Sequence, residues 1–343
     1  MSGLVVRAVG VLILLTTLAV ALSRAPDRPV QTLVARWAPP PSDFIEVKGM
    51  VVHVRDEGPR QTGTTGTTGT TGKDDPVPIV LIHGTSASLH TWEGWVKALK
   101  GQRRVITFDL PAFGLTGPFA GRYEPDNYSG DAYAAFVLDL LDALKVQRAV
   151  LGGNSLGGEV AWRTAFKAPE RVAGLVLVDA AGPAFTPKEI PLGFQVARLP
   201  LLGRISEVLL PRPMVARSLA SVYGDPRKVT EELVDRYYEL TLREGNRRAL
   251  GLRIRHLVAG QDAERIATLK LPTLILWGGR DRLIPPEVAQ QFKQQIAGSQ
   301  LVMFDDLGHV PQEEDPARTV VPVKAFLASA GLSNSGPGPA ASR

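Results

Sequence analysis

The stretch RAVLGGNSLGGEVAW (148–162) sets one serine, Ser155, in the pattern Gly153-x-Ser155-x-Gly157. An apolar run precedes it and a helix-like run follows. A strand that turns this sharply into a helix holds its central residue strained, so the neighbours must be small. The turn aims the hydroxyl out at the carboxyl end of a sheet. It also sets the serine at a helix N-terminus, whose partial positive charge favours a developing anion. The bland alternative is a glycine-rich turn that cradles phosphate, but the stretch carries neither G-x-G-x-x-G nor G-K-[ST].

A serine needs a base before it is nucleophilic at neutral pH. The chain has five histidines. His53 lies in an expected hairpin strand, His90 follows a loop and His256 lies in a helical region; all three default to structural or surface roles. His83, beside Gly84, reads as a residue that orders its loop, with Trp92 packed beneath it. His309 differs. It sits in DDLGHVPQEEDP, a polar loop after the last expected strand and before the last helix. Such a loop opens at the same sheet edge as Ser155, which makes His309 the expected base. The base needs a carboxylate to hold its tautomer and steady the imidazolium. Asp281, in WGGRDRLIP, follows an apolar run directly; Asp179, ending GLVLVDA, is the competing acid. The chain order Ser155, Asp281, His309 is that of the serine-elbow motif class, which favours Asp281.

Acyl transfer also needs donors for the oxyanion. Leu156 supplies one N–H as the residue after the nucleophile. The second is expected from the loop HGTSASLHTW (83–92), at Thr85, with Ser86 in reserve. Such donors contribute about 3–4 kcal/mol to transition-state stabilisation.

These residues need a frame. PIVLIH (78–83), RVITFDL (104–110), RAVLGGN (148–154), GLVLVDA (174–180) and PTLILWGG (272–279) are short apolar runs bounded by turn residues. Runs of this kind suit parallel strands covered on both faces. Helix-like stretches, notably 129–145 and 156–168, alternate with them, which implies a doubly wound α/β sheet. FIEVKGMVVHVRDEG reads as two strands joined by a tight turn at Lys48-Gly49. Residues 183–265 break the rhythm with amphipathic helical stretches and read as an insertion between two strands. SQLVMFDD and DPARTVVPVKAFLASA read as a final strand and helix.

Taken in order, HGTSASLHTW, DLPAFGLTG, GNSLGG, GGRDRLIP and DLGHVP make the chain resemble the α/β-hydrolase superfamily over about residues 44–330. The resemblance implies an eight-stranded, mostly parallel sheet in 44–182 and 266–330, with a helical cap in 183–265. It also implies a cofactor-free, metal-free mechanism on a small-molecule substrate. GNSLGG is similar to carbon–carbon bond hydrolases of aromatic ring-fission products; simple esterases and perhydrolase-like members also stand close. Members that open epoxides or haloalkanes carry aspartate at the nucleophile position, where this chain has Ser155. The expected activity is cleavage of an ester or related carbonyl through an acyl-enzyme. The apolar stretch IPLGFQVARLPLLG in the cap predicts an apolar acyl or alcohol part. A C–C hydrolase, a perhydrolase-like enzyme and a non-catalytic binding protein on the same fold are the alternatives.

Composition bounds the rest. The chain has 343 residues, 44% of them hydrophobic, with a net charge of +5 and no cysteine. One large core fits that length. Disulfides, thiolate catalysis and cysteine-bound metals are excluded. The basic residues form no stripe interleaved with aromatics, which argues against nucleic acid. Residues 1–24, MSGLVVRAVGVLILLTTLAVALSR, hold one internal charge, Arg7. They are expected either to anchor an exported catalytic domain in a membrane or to be cleaved as a signal, releasing a secreted or periplasmic enzyme. Residues 25–43, with Pro39, Pro40 and Pro41, read as a linker. TGTTGTTGTTG (62–72) reads as a flexible surface loop and 331–343 as a frayed tail.

Overall fold

The computed structural model describes residues 2–60, 77–198, 207–329 and 332. The Thr-Gly tract and the tail, Leu332 apart, lie outside the described residues.

Eight strands form one sheet: β1 (Ser42–Val47), β2 (Met50–Glu57), β3 (Ile79–Ile82), β4 (Val105–Phe108), β5 (Ala149–Asn154), β6 (Val172–Val178), β7 (Thr273–Gly278) and β8 (Gln300–Phe304). Their order is β1-β2-β4-β3-β5-β6-β7-β8. β1 and β2 form an antiparallel hairpin, and β2 pairs antiparallel with β4. The remaining pairs are parallel. Lys48 and Gly49 both take positive φ, 53° and 84°. Two such residues in a two-residue loop match the right-handed twist of the strands, which is why the hairpin closes there.

Every residue of β3 to β7 is buried. These strands therefore read as unbroken apolar runs and not as alternating ones. Helices cover both faces. α4 (Gly130–Ala143) packs on α5 (Leu156–Lys167) over one face, and their core holds Tyr133, Phe136 and Trp162. α3 (Glu93–Leu99) packs on the C-terminal helix over the other, around Trp92, Trp95 and Phe326. Burying each such side chain stabilises the fold by about 1.5–3 kcal/mol.

Between β6 and β7 the chain runs through α6 (Leu192–Arg198), α7 (Arg212–Val222), α8 (Glu231–Thr241) and α9 (Asn246–Arg255). α8 starts where Thr230 Oγ1 accepts the Leu233 N–H at 3.2 Å, with Glu231 and Glu232 in the first turn. Both features suit a helix N-terminus. α10 (Glu287–Gln295), α11 (Pro311–Glu314) and α12 (Pro316–Ser329) complete the chain.

α1 (Ser2–Ser23) is a helix whose Val6, Leu12 and Leu14 are among its exposed side chains. Side chains are described for only part of it, and among the described residues no helix is long and apolar enough to cross a membrane. The segment read as a linker is instead laid down on the inserted helices. α2 (Gln31–Trp37) buries Leu33 and Trp37 against Leu240. Ala25 N–H donates to Val208 O at 3.0 Å and Arg28 N–H to Leu242 O at 2.7 Å. Arg36 pairs with Asp235 and Glu239, and Trp37 Nε1 donates to Glu239 at 2.7 Å. The physical reason is a helical spacing that the prolines mask: Val30, Leu33, Val34 and Trp37 share one face.

Candidate active site

Ser155 joins β5 to α5 with φ 55° and ψ −117°, a conformation L side chains rarely adopt. The glycines around it are required by close approach. A Cβ on Gly153 would stand 2.1 Å from Gly157 O, and one on Gly157 would stand 2.0 Å from Ile82 O. The elbow is held by Ser155 N–H donating to Val178 O at 3.0 Å, and by its own carbonyl accepting from Ala181 and Glu159. Asn154, one residue earlier, ties the elbow to the histidine loop by donating Nδ2–H to His309 O at 2.9 Å.

His309 and Asp281 meet. Nδ1 of His309 lies 2.6 Å from Asp281 Oδ2, and both residues are buried. Asp281 Oδ1 accepts the N–H groups of Leu283 (2.8 Å) and Ile284 (3.0 Å), which fixes the carboxylate plane. Bonded this way, the imidazole carries its proton on Nδ1 and leaves Nε2 without one. Ser155 and His309 border one cavity, lined by apolar groups such as Val196, Leu210, Met214 and Val215 and by Ser218, Tyr237 and Arg247. Among the described residues no hydrogen bond joins the Ser155 hydroxyl to the imidazole. Such contacts are commonly loose in a free enzyme and tighten around substrate. A second apolar lobe, bordered by Phe185, Ile190, Ile254 and Leu257, meets the first at Thr85, Ser155, Phe194 and Leu283.

The loop after β3 runs against the elbow. A Cβ on Gly84 would lie 3.0 Å from Asn154 Oδ1 and 3.2 Å from Ser155 Cβ. His83 orders this loop: Nδ1–H donates to Gly84 O at 2.7 Å, and Nε2 accepts the Leu110 N–H at 2.9 Å. Burial lowers its pKa and keeps it neutral. Thr85 borders both lobes; Ser86 borders only the first. Leu156 opens α5, so its N–H lies in the first helical turn, where no intrahelical acceptor exists.

Two sets of contacts escape sequence reading. Glu314 accepts the N–H groups of Gly308, Gly224 and Asp225, each at 2.9 Å. His309 N–H donates to Val222 O at 2.7 Å. The histidine loop is therefore pinned to the inserted helices as well as to the sheet. Asp179, the competing acid, stands behind the pair: one oxygen or ring nitrogen from each of Asp179, Asp281 and His309 lies within 4.8 Å of the others. These atoms could in principle ligate a cation, but Asp281 and His309 spend theirs on one another. The only sequence signal for Asp179 is its place at a strand end. His53, His90 and His256 line neither lobe.

Comparison with known proteins agrees with this arrangement. The alpha/beta hydrolase fold family model matches residues 77–316. The 2-hydroxymuconate semialdehyde hydrolase of Pseudomonas sp. strain CF600 is 30% identical over 265 residues, 74% of this chain and 87% of that protein. Lipase 1 of Psychrobacter immobilis is 30% identical over 262 residues, 73% of this chain and 76% of that protein. The solved structure of a meta-cleavage product hydrolase from Pseudomonas fluorescens IP01 superposes with a TM-score of 0.69 at 27% identity, covering 84% of this chain and 98% of that one. These relatives are named as hydrolases, which sets aside the non-catalytic alternative. The eight-stranded sheet, the elbow and the matched length together make this chain a member of the alpha/beta hydrolase fold family and a hydrolytic enzyme.

Proposed function

We propose that the protein is a serine hydrolase that cleaves an ester with an apolar acyl part through an acyl-enzyme. The observation that carries this reading is the 2.6 Å contact of His309 Nδ1 with Asp281 Oδ2 beside a cavity that Ser155 also borders. His309 Nε2 takes the Ser155 proton as Oγ attacks the carbonyl carbon. The oxyanion is received by the N–H groups of Thr85 and Leu156. His309 then protonates the leaving alcohol. Water then attacks the acyl carbon as it gives a proton to His309; the bond to Ser155 Oγ breaks, His309 returns the proton to Oγ, and the acid leaves an unchanged enzyme. Asp281 keeps the imidazole in its tautomer and steadies the imidazolium. The two lobes meeting at Ser155 provide one side for the acyl chain and one for the leaving group.

The second reading, hydrolysis of a C–C bond next to a carbonyl, is favoured by the 30% identity to 2-hydroxymuconate semialdehyde hydrolase. The test compares turnover of p-nitrophenyl esters of varied acyl length with that of vinylogous diketones, and labels a separate sample with a fluorophosphonate. Ester turnover, and labelling abolished in Ser155→Ala, are expected. Turnover of the diketones alone selects the second reading, and unlabelled native protein removes both. A helix apolar on most sides, such as α1, belongs in a lipid or buried setting. We infer that it holds the enzyme at a membrane with the catalytic domain exported. Flotation with vesicles that is lost when residues 1–23 are removed is the expected result; a mature N-terminus beyond residue 23 selects a cleaved signal.

A further inference from the structure

Asp179 follows β6 and is completely buried. Its φ of 43° lies in the left-handed region that a side-chain-bearing residue enters only when its surroundings demand it. Its backbone N–H donates to Leu276 O at 3.0 Å, and its Oδ1 accepts the Gly278 N–H at 3.0 Å. Oδ2 is buried without a conventional donor facing it. The pair proposed above stands close by: one carboxylate oxygen or ring nitrogen from each of Asp179, Asp281 and His309 lies within 4.8 Å of the others. Two carboxylates this close in a dry pocket cannot both ionise. A buried oxygen with no donor, beside a carboxylate with lone pairs to spare, is satisfied if it carries the proton itself.

We propose that Asp179 keeps its proton and donates it in a hydrogen bond to Asp281, which makes it a positioning residue for the Asp281–His309 pair. The inference rests on the reading of Ser155, His309 and Asp281 as a triad. Asp281 then accepts from four sides: Leu283 and Ile284 at Oδ1, His309 at Oδ2, and Asp179. Burial first, then the Asp281 charge, pushes the Asp179 carboxyl well above the usual carboxylate range. The groups facing it from the packed elements are Asp281 after β7, His309 after β8 and Glu314 on α11, and the Glu314 charge acts in the same direction. The consequence is electrostatic. The imidazolium formed during catalysis faces one negative charge, already partly drawn off by a donor, and not two. His309 therefore gives its proton to the leaving group more readily than beside a doubly charged acid pair.

The test is the pH profile of kcat/KM on an ester that the native enzyme turns over. In Asp179→Asn the amide can donate to Asp281 and still accept from Gly278. Activity is expected within about 3-fold of native, and the acidic limb within about 0.3 pH unit. In Asp179→Leu the donor is gone and Asp281 presents its full charge to the imidazolium. There the acidic limb should rise and kcat should fall about 10-fold while KM holds. A merely structural role would change the melting temperature or KM and leave the limb in place. If Asp179 is ionised, Asp179→Asn removes a negative charge and the acidic limb drops by about a unit, which overturns the proposal. Should either variant fail to fold, aspartate-labelled native protein is read by carbon-13 NMR. One carboxyl carbon in the acid form at about pH 7 supports the proposal, and none overturns it. Fluorophosphonate labelling of Ser155 separates the two failures: no label sinks the triad, whereas label with a lowered limb sinks only the neutral Asp179.

Discussion

The described residues contain two buried histidine–aspartate pairs of nearly equal geometry. His309 Nδ1 stands 2.6 Å from Asp281 Oδ2, and His53 Nδ1 stands 2.7 Å from Asp109 Oδ2. The second pair even has a serine: His53 Nε2 lies 2.9 Å from Ser42 Oγ. By distances alone, Ser42, His53 and Asp109 form a more closed triad than the one at Ser155. Their surroundings set them apart. Ser42 opens the edge strand β1, and its hydroxyl also accepts the Arg55 Nε–H at 2.9 Å. It borders neither lobe of the substrate cavity and heads no helix. Asp109 uses its remaining oxygen sites to accept Leu89 N–H and Leu115 N–H, both at 2.8 Å, pinning the loops after β3 and β4. One pair borders a cavity that Ser155 also borders; the other is a knot. A serine–histidine–aspartate chain becomes catalytic only where a strained elbow, oxyanion donors and substrate space converge on it.

That contrast can be broken most forcefully at the histidines. His309→Gln is expected to lower kcat/KM by about 10⁴-fold and leave the urea midpoint nearly unchanged. His53→Gln should do the reverse, holding activity within a few-fold while removing about 2 kcal/mol of stability. Parallel losses of activity in both variants would erase the distinction. Asp109→Ala should be the largest stability loss, about 3–5 kcal/mol by urea melts, because it leaves His53 and two backbone N–H groups facing nothing. Burial alone would raise the Asp109 carboxyl. The charge and hydrogen bond of His53 outweigh it and hold the carboxyl well below the usual range. A depressed folded value contributes stability that is present above about pH 4 and lost as the carboxyl takes up a proton in acid.

His90 sharpens the same region through the opposite charge type. Its Nε2 meets Trp37 O at 2.8 Å and its Nδ1 meets Ser88 Oγ at 2.9 Å, so the neutral ring is fully used. Burial, only partly opposed by the Asp109 charge, lowers its pKa to about 3. Below about pH 6.5 the unfolded chain protonates this histidine and the folded one does not. Stability should therefore fall as pH drops from about 6.5 toward 3, at up to about 1.4 kcal/mol per unit from this group. His90→Gln should flatten that slope by about 1–2 kcal/mol between pH 6.5 and 5 in thermal melts. An unchanged slope would show that His90 is not held neutral by the fold.

Much of the catalytic frame was legible because it is encoded locally. The glycines about Ser155 are dictated by contacts of 2.0 and 2.1 Å within one turn and its neighbouring strand. The apolar runs announce buried parallel strands, and the loops that follow them are where such sheets carry chemistry. Asp281 and His309 are placed by that rule alone. The rest depends on pairings distant in the chain. Nothing near Glu314 announces that its carboxylate will hold Gly224, Asp225 and Gly308 together. The segment before β1 reads as a linker because its prolines dominate the local pattern. The apolar face of α2 has meaning only against Leu240, some two hundred residues away. Chain order favours Asp281 over Asp179 on sequence, and the fold sets the imidazole on Asp281, with Asp179 close beside the pair.

The smallest expected effect is also the sharpest test of the two serines. Ser42→Ala removes an acceptor for Arg55 Nε and a partner for His53 Nε2. Arg55 keeps its contact with Glu93 at 2.8 Å, and Ser42 is only partly buried, so water can take the vacated place. The loss should be about 1 kcal/mol, with ester turnover within about 2-fold of native. Fluorophosphonate labelling should be undiminished in Ser42→Ala and absent in Ser155→Ala. Label surviving on Ser42 in the Ser155→Ala protein would mean that a hydrogen-bonded chain of the right residues suffices for reactivity. Its absence, with the Ser42–His53–Asp109 contacts intact, would place the reactivity of Ser155 in the elbow, the helix N-terminus and the cavity that Ser42 lacks.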